Sequence, residues 1–569
     1  ENSDHQGVHM RLFSRFKNES LSLFLATSLL VLASACGHGL VETDEQPVDF
    51  TLTLLHTNDV HSSFGGTTAT GQTCYAALCE GGSGGYVRLD QAARAIRRDR
   101  PEAIFLEAGD VFQGTLFWTT HKEKMPARLL DEMGYQAVVP GNHEFDDGWR
   151  VWLKYVESLK TPVLAANVAF DPPINSPALA KIKPYLILER GGRKIGVIGL
   201  ATPETPETSN PGPGVEFLDF KPLLTEAIER LSAEGVNIII ALTHLGLEND
   251  RRLARETSGV DVIVGGHSHS LLSNVDPKAE GPYPVVEKAA DGSPTLIVTA
   301  STASVLLGRL EVGFDQNGKA REWRGEPIRL DQAGLDGLKA PSPNAALARQ
   351  IESFAAPVKR LMNKTIGSIV AKGRNGLPLE ESGARACRNV ECLTGNITAD
   401  ALRQIAFEGI QISLVNGGAL RNSLPGGQVT PGDVLGTLPF QNTPVKTEMS
   451  GAVLWAALEH GVEKYGENVG GFLQVSGLRY AFNPKLEPGR RVTKVEYAAE
   501  NGAWRELDKK AVYKVVTFDF LARGGDGFAM FQPLAWEEGE NLANDALRLH
   551  LERNSPIQAE FQGRITIEP

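Results

Sequence analysis

Five short polar stretches, each placed at the end of an apolar run, carry the residue types that hold metal ions. They are Asp59 and His61 in "NDVHS", Asp110 in "GDVFQG", Asn142 and His143 in "GNHEFD", His244 in "THLG", and His267 and His269 in "GGHSHS". Carboxylates, imidazoles and one carboxamide form a mixed N/O donor set that suits zinc or manganese, whereas a purely structural zinc draws more often on cysteines. Taken singly, each stretch has an ordinary explanation, because Asn and Asp cap helices and close turns, and a His after a strand usually satisfies a nearby polar group. Taken in series they leave coincidence little room. Loops at the carboxyl ends of strands in an open α/β sheet converge on one crevice, so residues far apart in the chain become neighbours.

The elements that must bring them together are visible as apolar runs. "FTLTLLHTND", "AIFLEAGD", "QAVVPGNHEFD", "KIGVIGLATPE", "VNIIIALTHLG" and "VDVIVGGHSH" are short, β-branched and glycine-bounded, with helix-length spacers such as Tyr86 to Arg98 and Phe220 to Glu234. That alternation predicts a layered α/β sheet. Around "KAPSPN" (Lys339 to Asn344) the pattern breaks, and Leu347, Ile351, Phe354, Val358 and Leu361 follow at helical spacing, predicting an amphipathic connecting helix. A second α/β domain then runs to Pro569, with apolar runs at Ile410 to Val415 and Val512 to Phe518. The expected organisation is an upstream extension with an export signal over 1–36, a tether over 37–49, a first domain over 50–338, a linker helix over 339–362 and a second domain over 363–569.

A chain of 569 residues is too long for one core, and 42% hydrophobic with 22% charged residues describes an ordinary globular protein. The net charge of -12 argues against nucleic acid as a partner, since phosphate backbones select for basic surfaces. Near the start, Arg11, Arg15 and Lys17 precede the apolar run "LSLFLATSLLVL" and then "ASAC", the layout of an export signal too short to span a bilayer. Small residues ending at Cys36 resemble the lipobox of a bacterial lipoprotein, so the expected location is the periplasm or cell surface, with a lipid anchor on Cys36 as the link to the membrane. Of five cysteines, four form two C-x4-C pairs, Cys74/Cys79 and Cys387/Cys392. In an oxidising compartment two short disulfides are the economical reading; a four-cysteine zinc site would require two distant pairs to meet.

The order D-x-H, G-D-x-x-x-G, G-N-H-E-x-D, T-H-L-G and G-H-S-H resembles the calcineurin-like metallophosphoesterases, and specifically the 5'-nucleotidase family. The resemblance implies a four-layer α/β/β/α sandwich followed by an α/β substrate-binding domain. It also implies two divalent metal ions, one held by Asp59, His61, Asp110 and His269, the other by Asp110, Asn142, His244 and His267, with Asp110 bridging. By the same resemblance His143 is the catalytic histidine and Asp146 orients it. In the second half, "NGGALRNS", "LPFQNT" and "FLARGGDGF" resemble the family's nucleotide-binding segments. Phe440 and Phe520 would then stack on the base, while Arg388, Arg421, Asn416, Asn442 and Asp526 would supply polar contacts. The implied activity is extracytoplasmic hydrolysis of nucleoside 5'-monophosphates. Runner-up activities are hydrolysis of UDP-sugars or 2',3'-cyclic nucleotides, and from another class a catalytically inactive surface nucleotide-binding protein. Glu144, inside the most informative motif, receives no role.

Overall fold

Alternation along Phe50–Thr57 assigns its two faces: Leu52 and Leu54 pack between two sheets, and Leu55 points to the helices on the other side. The same period of two recurs in Ile104–Glu107, where Ile104 and Leu106 face inward between the sheets and Phe105 faces outward. The computed structural model describes residues 47–569 apart from 70–72, 172, 173, 175, 381, 441 and 540. The expected export signal, Cys36 and most of the tether lie outside the described residues.

Phe50–Thr57, Ile104–Glu107, Ala137–Val138 and Val163–Leu164 run parallel in an eight-stranded sheet, with Leu306–Phe314 antiparallel beside the first of them. A second sheet of six strands has Arg193–Ala201, Ile238–His244 and Val262–Val264 parallel at its centre. The run "IIIAL" is buried throughout, as a strand covered on both faces requires. Helices Tyr86–Asp99, Lys124–Met133 and Trp149–Ser158 cover the first sheet, and Phe220–Ala233 with Leu253 and Ala254 of Leu247–Glu256 covers the second. The layers are therefore helix, sheet, sheet, helix, the architecture expected.

Residues from Gly367 onward build a separate α/β body around a five-stranded sheet, whose central strands are Ile412–Asn416, Val512–Phe518 and Pro444–Ser450. Two further cores form here, one beneath Leu393–Ala401 and Ala543–Asn554, the other around Gly451–Glu463. Between the bodies lies one helix, Ala345–Met362, capped by Asn344, whose side chain accepts from the amides of Ala346 and Leu347. Its buried face of Leu347, Ile351, Ala355 and Val358 packs into the core of the first body.

Candidate active site

Within each sheet the strands that end beside the site run parallel to one another, so each delivers its carboxyl-end loop to the same edge. Asp59 follows Phe50–Thr57, Asp110 follows Ile104–Glu107, His143 follows Ala137–Val138, His244 closes Ile238–His244, and His267 follows Val262–Val264. The "GNHEFD" turn is anchored from below by Phe145, which is fully buried against Trp152 at 4.8 Å and Phe217 at 4.8 Å. Burying such a ring contributes about 1.5–3 kcal/mol.

The donor atoms gather into two groups that share one carboxylate: Asp59, His61, Asp110 and His269, and Asp110, His244 and His267. His143 donates its backbone N–H to Asp110 Oδ1 at 2.9 Å, leaving Oδ2 3.2 Å from His244 Nε2 and 3.8 Å from His61 Nε2. Asn142 Oδ1 lies 3.0 Å from His267 Nδ1. Asp59, His61, Asp110, His267 and His269 all adopt left-handed backbone with φ between 47° and 80°. Such non-glycine conformations carry strain of about 1–3 kcal/mol each and persist where the surroundings over-determine them.

This donor set fits divalent cations. The Ala108 carbonyl accepts from His244 Nδ1 at 2.7 Å, so neutral His244 presents an unprotonated Nε2, buried and without a hydrogen-bond partner, toward the Asp110 carboxylate. Two lone pairs at that distance repel unless a positive charge lies between them. Burial opposes charge on His244, yet the Asp110 and Asp59 carboxylates outweigh it and push its pKa up to about 10, so they draw a positive charge to Nε2, which a proton or a metal ion can supply. His267, disfavoured as a cation by burial and by His244, is held down at about 4. His269 differs from the rest. Arg385 Nη2 donates to its Nδ1 at 2.5 Å, which places the imidazole proton on Nε2, facing Asp59 Oδ1 at 3.3 Å. For His269 to hold an ion through Nε2, that bond to Arg385 must be exchanged.

His143 lies beside the donors, its ring 5.2 Å from that of His61. Its Nδ1 donates to Asp146 Oδ2 at 2.6 Å, and Ser209 Oγ donates to the other Asp146 oxygen at 2.7 Å. Burial works against charge on His143, but Asp146 and Asp110 more than offset it and hold its pKa above the ordinary imidazole value.

These groups open onto a cleft of about 1230 Å³ whose opposite wall comes from the second body. Asp110, Asn142, His143, Asp146, His267 and His269 line one side, and Arg388, Asn416, Arg421, Phe440, Asn442, Phe520 and Asp526 line the other. Asp59, His61 and His244 sit behind that surface, at most 5% exposed. The Phe440 ring lies 5.9 Å from His143 and 5.8 Å from the Arg421 guanidinium. Asn416 Nδ2 donates to Asp526 Oδ2 at 2.6 Å. The Cys387–Cys392 disulfide closes the loop carrying Arg388, and Cys74–Cys79 closes a loop in the first body. Burial, with Arg421 and Arg385 nearby, lowers Arg388 to about 9, as expected where cations crowd without an anion between them.

Several participants were not legible from the motifs. Arg385 could have been suspected as a second arginine just before the disulfide-closed loop, in "ARACRNVEC". Asn58, which donates to Asp59 Oδ2 at 2.7 Å, and Ser209 carry no pattern of their own. His460 donates from Nε2 to the Asp526 carbonyl at 2.8 Å from a helix with no functional signature.

Residues 52–271 match the calcineurin-like phosphoesterase family and residues 367–533 match the 5'-nucleotidase C-terminal domain. The human 5'-nucleotidase is 31% identical over 536 residues, covering 90% of this chain and 90% of its own. Snake venom 5'-nucleotidase of Naja atra is 33% identical over 508 residues, 85% of this chain and 92% of its own. The crystal structure of a 5'-nucleotidase precursor from Thermus thermophilus superposes with a TM-score of 0.80 at 36% identity, covering 91% of this chain and 100% of that one. Sequence, fold and the two-walled cleft agree: the chain belongs to the 5'-nucleotidase family.

Proposed function

We propose that this protein is a metal-dependent hydrolase that converts nucleoside 5'-monophosphates to nucleoside and phosphate. One observation carries the reading: two donor groups sharing Asp110 open onto the same cleft as two half-buried aromatic side chains and an arginine cluster. Asp59, His61, Asp110 and His269 would hold one ion, and Asp110, Asn142, His244 and His267 the other, with zinc or manganese suited to the mixed donors. Bound there, such ions would supply Lewis-acid polarisation of the phosphoryl oxygens and a more acidic water.

The chain's own groups do the rest. Arg388 and Arg421 neutralise the phosphate or ribose oxygens, and Phe440 and Phe520 take the base between them, a stacking contact that tolerates different bases. Asn416, Asn442 and Asp526 provide the polar contacts around the sugar. His143, held in one orientation by Asp146, offers its free Nε2 to the leaving 5'-oxygen and supplies the proton that oxygen needs. Because the two walls belong to different bodies, the substrate is gripped only when they face each other, and the segment around Ala345–Met362 is the place where they would turn.

The paired disulfides and the N-terminal sequence support an exported protein tethered through Cys36. No helix among the described residues is long and apolar enough to cross a membrane. Phosphate release from AMP, with and without a chelator, tests the activity. Chelator-sensitive release from AMP exceeding that from UDP-sugars and 2',3'-cyclic nucleotides supports the proposal. Release favouring either of those substrates, or none from a metal-loaded protein, overturns it.

A further inference from the structure

Glu144 is the one residue of "GNHEFD" with an ionisable side chain and no role so far. It is 2% exposed and points away from the cleft, yet it makes four hydrogen bonds to backbone. Its Oε2 accepts from the amides of Asp110 at 2.9 Å and Gly141 at 2.6 Å, and its Oε1 accepts from Val111 at 2.8 Å and Phe112 at 3.0 Å. Three successive N–H groups turned toward one point form an anion-binding concavity, and here the chain fills it with its own carboxylate. Both oxygens accept twice, so a neutral carboxamide of the same shape would turn its NH2 toward two N–H donors. The grip also joins two loops: Asp110 to Phe112 follow one strand, and Gly141 follows the next. A Cβ on Gly141 would lie 2.1 Å from Asp110 Oδ1, so the loops meet with no room for a side chain. Asp110 itself is held at φ 58°, a conformation its own side chain does not favour.

We propose that Glu144 is a positioning residue for the shared carboxylate: by gripping the amides of Asp110 to Phe112 and of Gly141 it sets the Asp110 geometry on which affinity for both ions depends. This rests on the reading of Asp110 as the ligand common to two ions. Outer groups that orient ligands typically alter metal affinity about 10–100-fold when replaced.

The test is metal titration of the full chain against a chromophoric chelator, with Mn2+ or Zn2+ as the probe, well below the unfolding temperature. Glu144→Gln should weaken both ions together, about 10–100-fold, with an unchanged circular dichroism spectrum. Asn58→Ala, which frees Asp59, the Ala300 amide and the Ser301 carbonyl but not Asp110, should weaken one ion and spare the other. Glu144→Asp keeps the charge but is one methylene shorter, and should fall between Gln and wild type. Wild-type affinity in folded Glu144→Gln, or weakening of only one ion, overturns the proposal. Should the variants fail to fold, hydrogen exchange on the metal-free wild type decides: slow exchange at Val111 and Phe112 supports the grip, and fast exchange there refutes it. A wild type that binds no more than one divalent ion would instead overturn the shared-ligand reading itself.

Discussion

The two walls of the cleft are built on different principles. In the first body the chemistry-bearing residues sit at parallel strand ends, buried or half-buried, with five of them in left-handed backbone and each tied to a neighbour by a short hydrogen bond or close contact. In the second body the facing residues are spread over a strand end (Asn416), short helical turns (Arg388, Phe520) and loops, and most keep ordinary backbone; Asp526, at φ 52°, is the exception among those named for the substrate. A site for ions needs fixed distances between donors, whereas a site for a nucleotide needs a flat apolar face and a few charges that adapt. Rigidity is therefore concentrated where geometry decides the chemistry.

Four changes probe that contrast. The largest effect is expected from Asp110→Asn, or from chelation of the wild type, because one carboxylate serves both donor groups: phosphate release should fall to background, and metal analysis should show both ions lost. Retention of both ions by the variant would break the comparison at its strongest point. Next, His143→Ala should lower kcat by about 10²–10⁴-fold with metal content unchanged, read by steady-state kinetics and elemental analysis. On the opposite wall, Phe440→Ala or Phe520→Ala should act on KM, by about 1–3 kcal/mol of stacking, leaving metal content intact. A fall in kcat alone would show that the wall orients the reacting group instead of holding the base.

The disulfides provide a paired control. Replacing Cys387 and Cys392 by Ser should lower stability by about 2 kcal/mol and raise KM, because the closed loop carries Arg388. The same change at Cys74 and Cys79 should lower stability by a similar amount without moving KM, since neither residue lines the cleft. Thermal unfolding and substrate titration of both variants measure this directly. Smallest of all, Asn344→Ala removes the cap of the helix between the bodies and should cost about 1 kcal/mol, seen as a lowered Tm.

The layered fold was readable because period-two alternation and buried "IIIAL"-type runs are local consequences of being a strand with one or two covered faces. The metal-donor residues were readable for a related reason: each follows its strand within a few residues, so the sequence shows both the strand and the donor. The cleft-lining residues proposed for the substrate, such as Phe440 and Asp526, were readable only through family resemblance, since a Phe after a strand and a "GGDG" turn are otherwise everyday features. Arg385, Ser209 and His460 were not readable, because what makes them matter is a partner on another element.

By itself, then, the sequence determined the kinds of donor atoms and the strands that carry them, because covalent spacing and hydrophobic period act over a few residues. It was the tertiary structure that decided which donors share Asp110, that Arg385 of one body reaches His269 of the other, and that Glu144 grips the loop before its own motif. These are contacts between segments tens to hundreds of positions apart, and no local pattern encodes a distance that only folding creates.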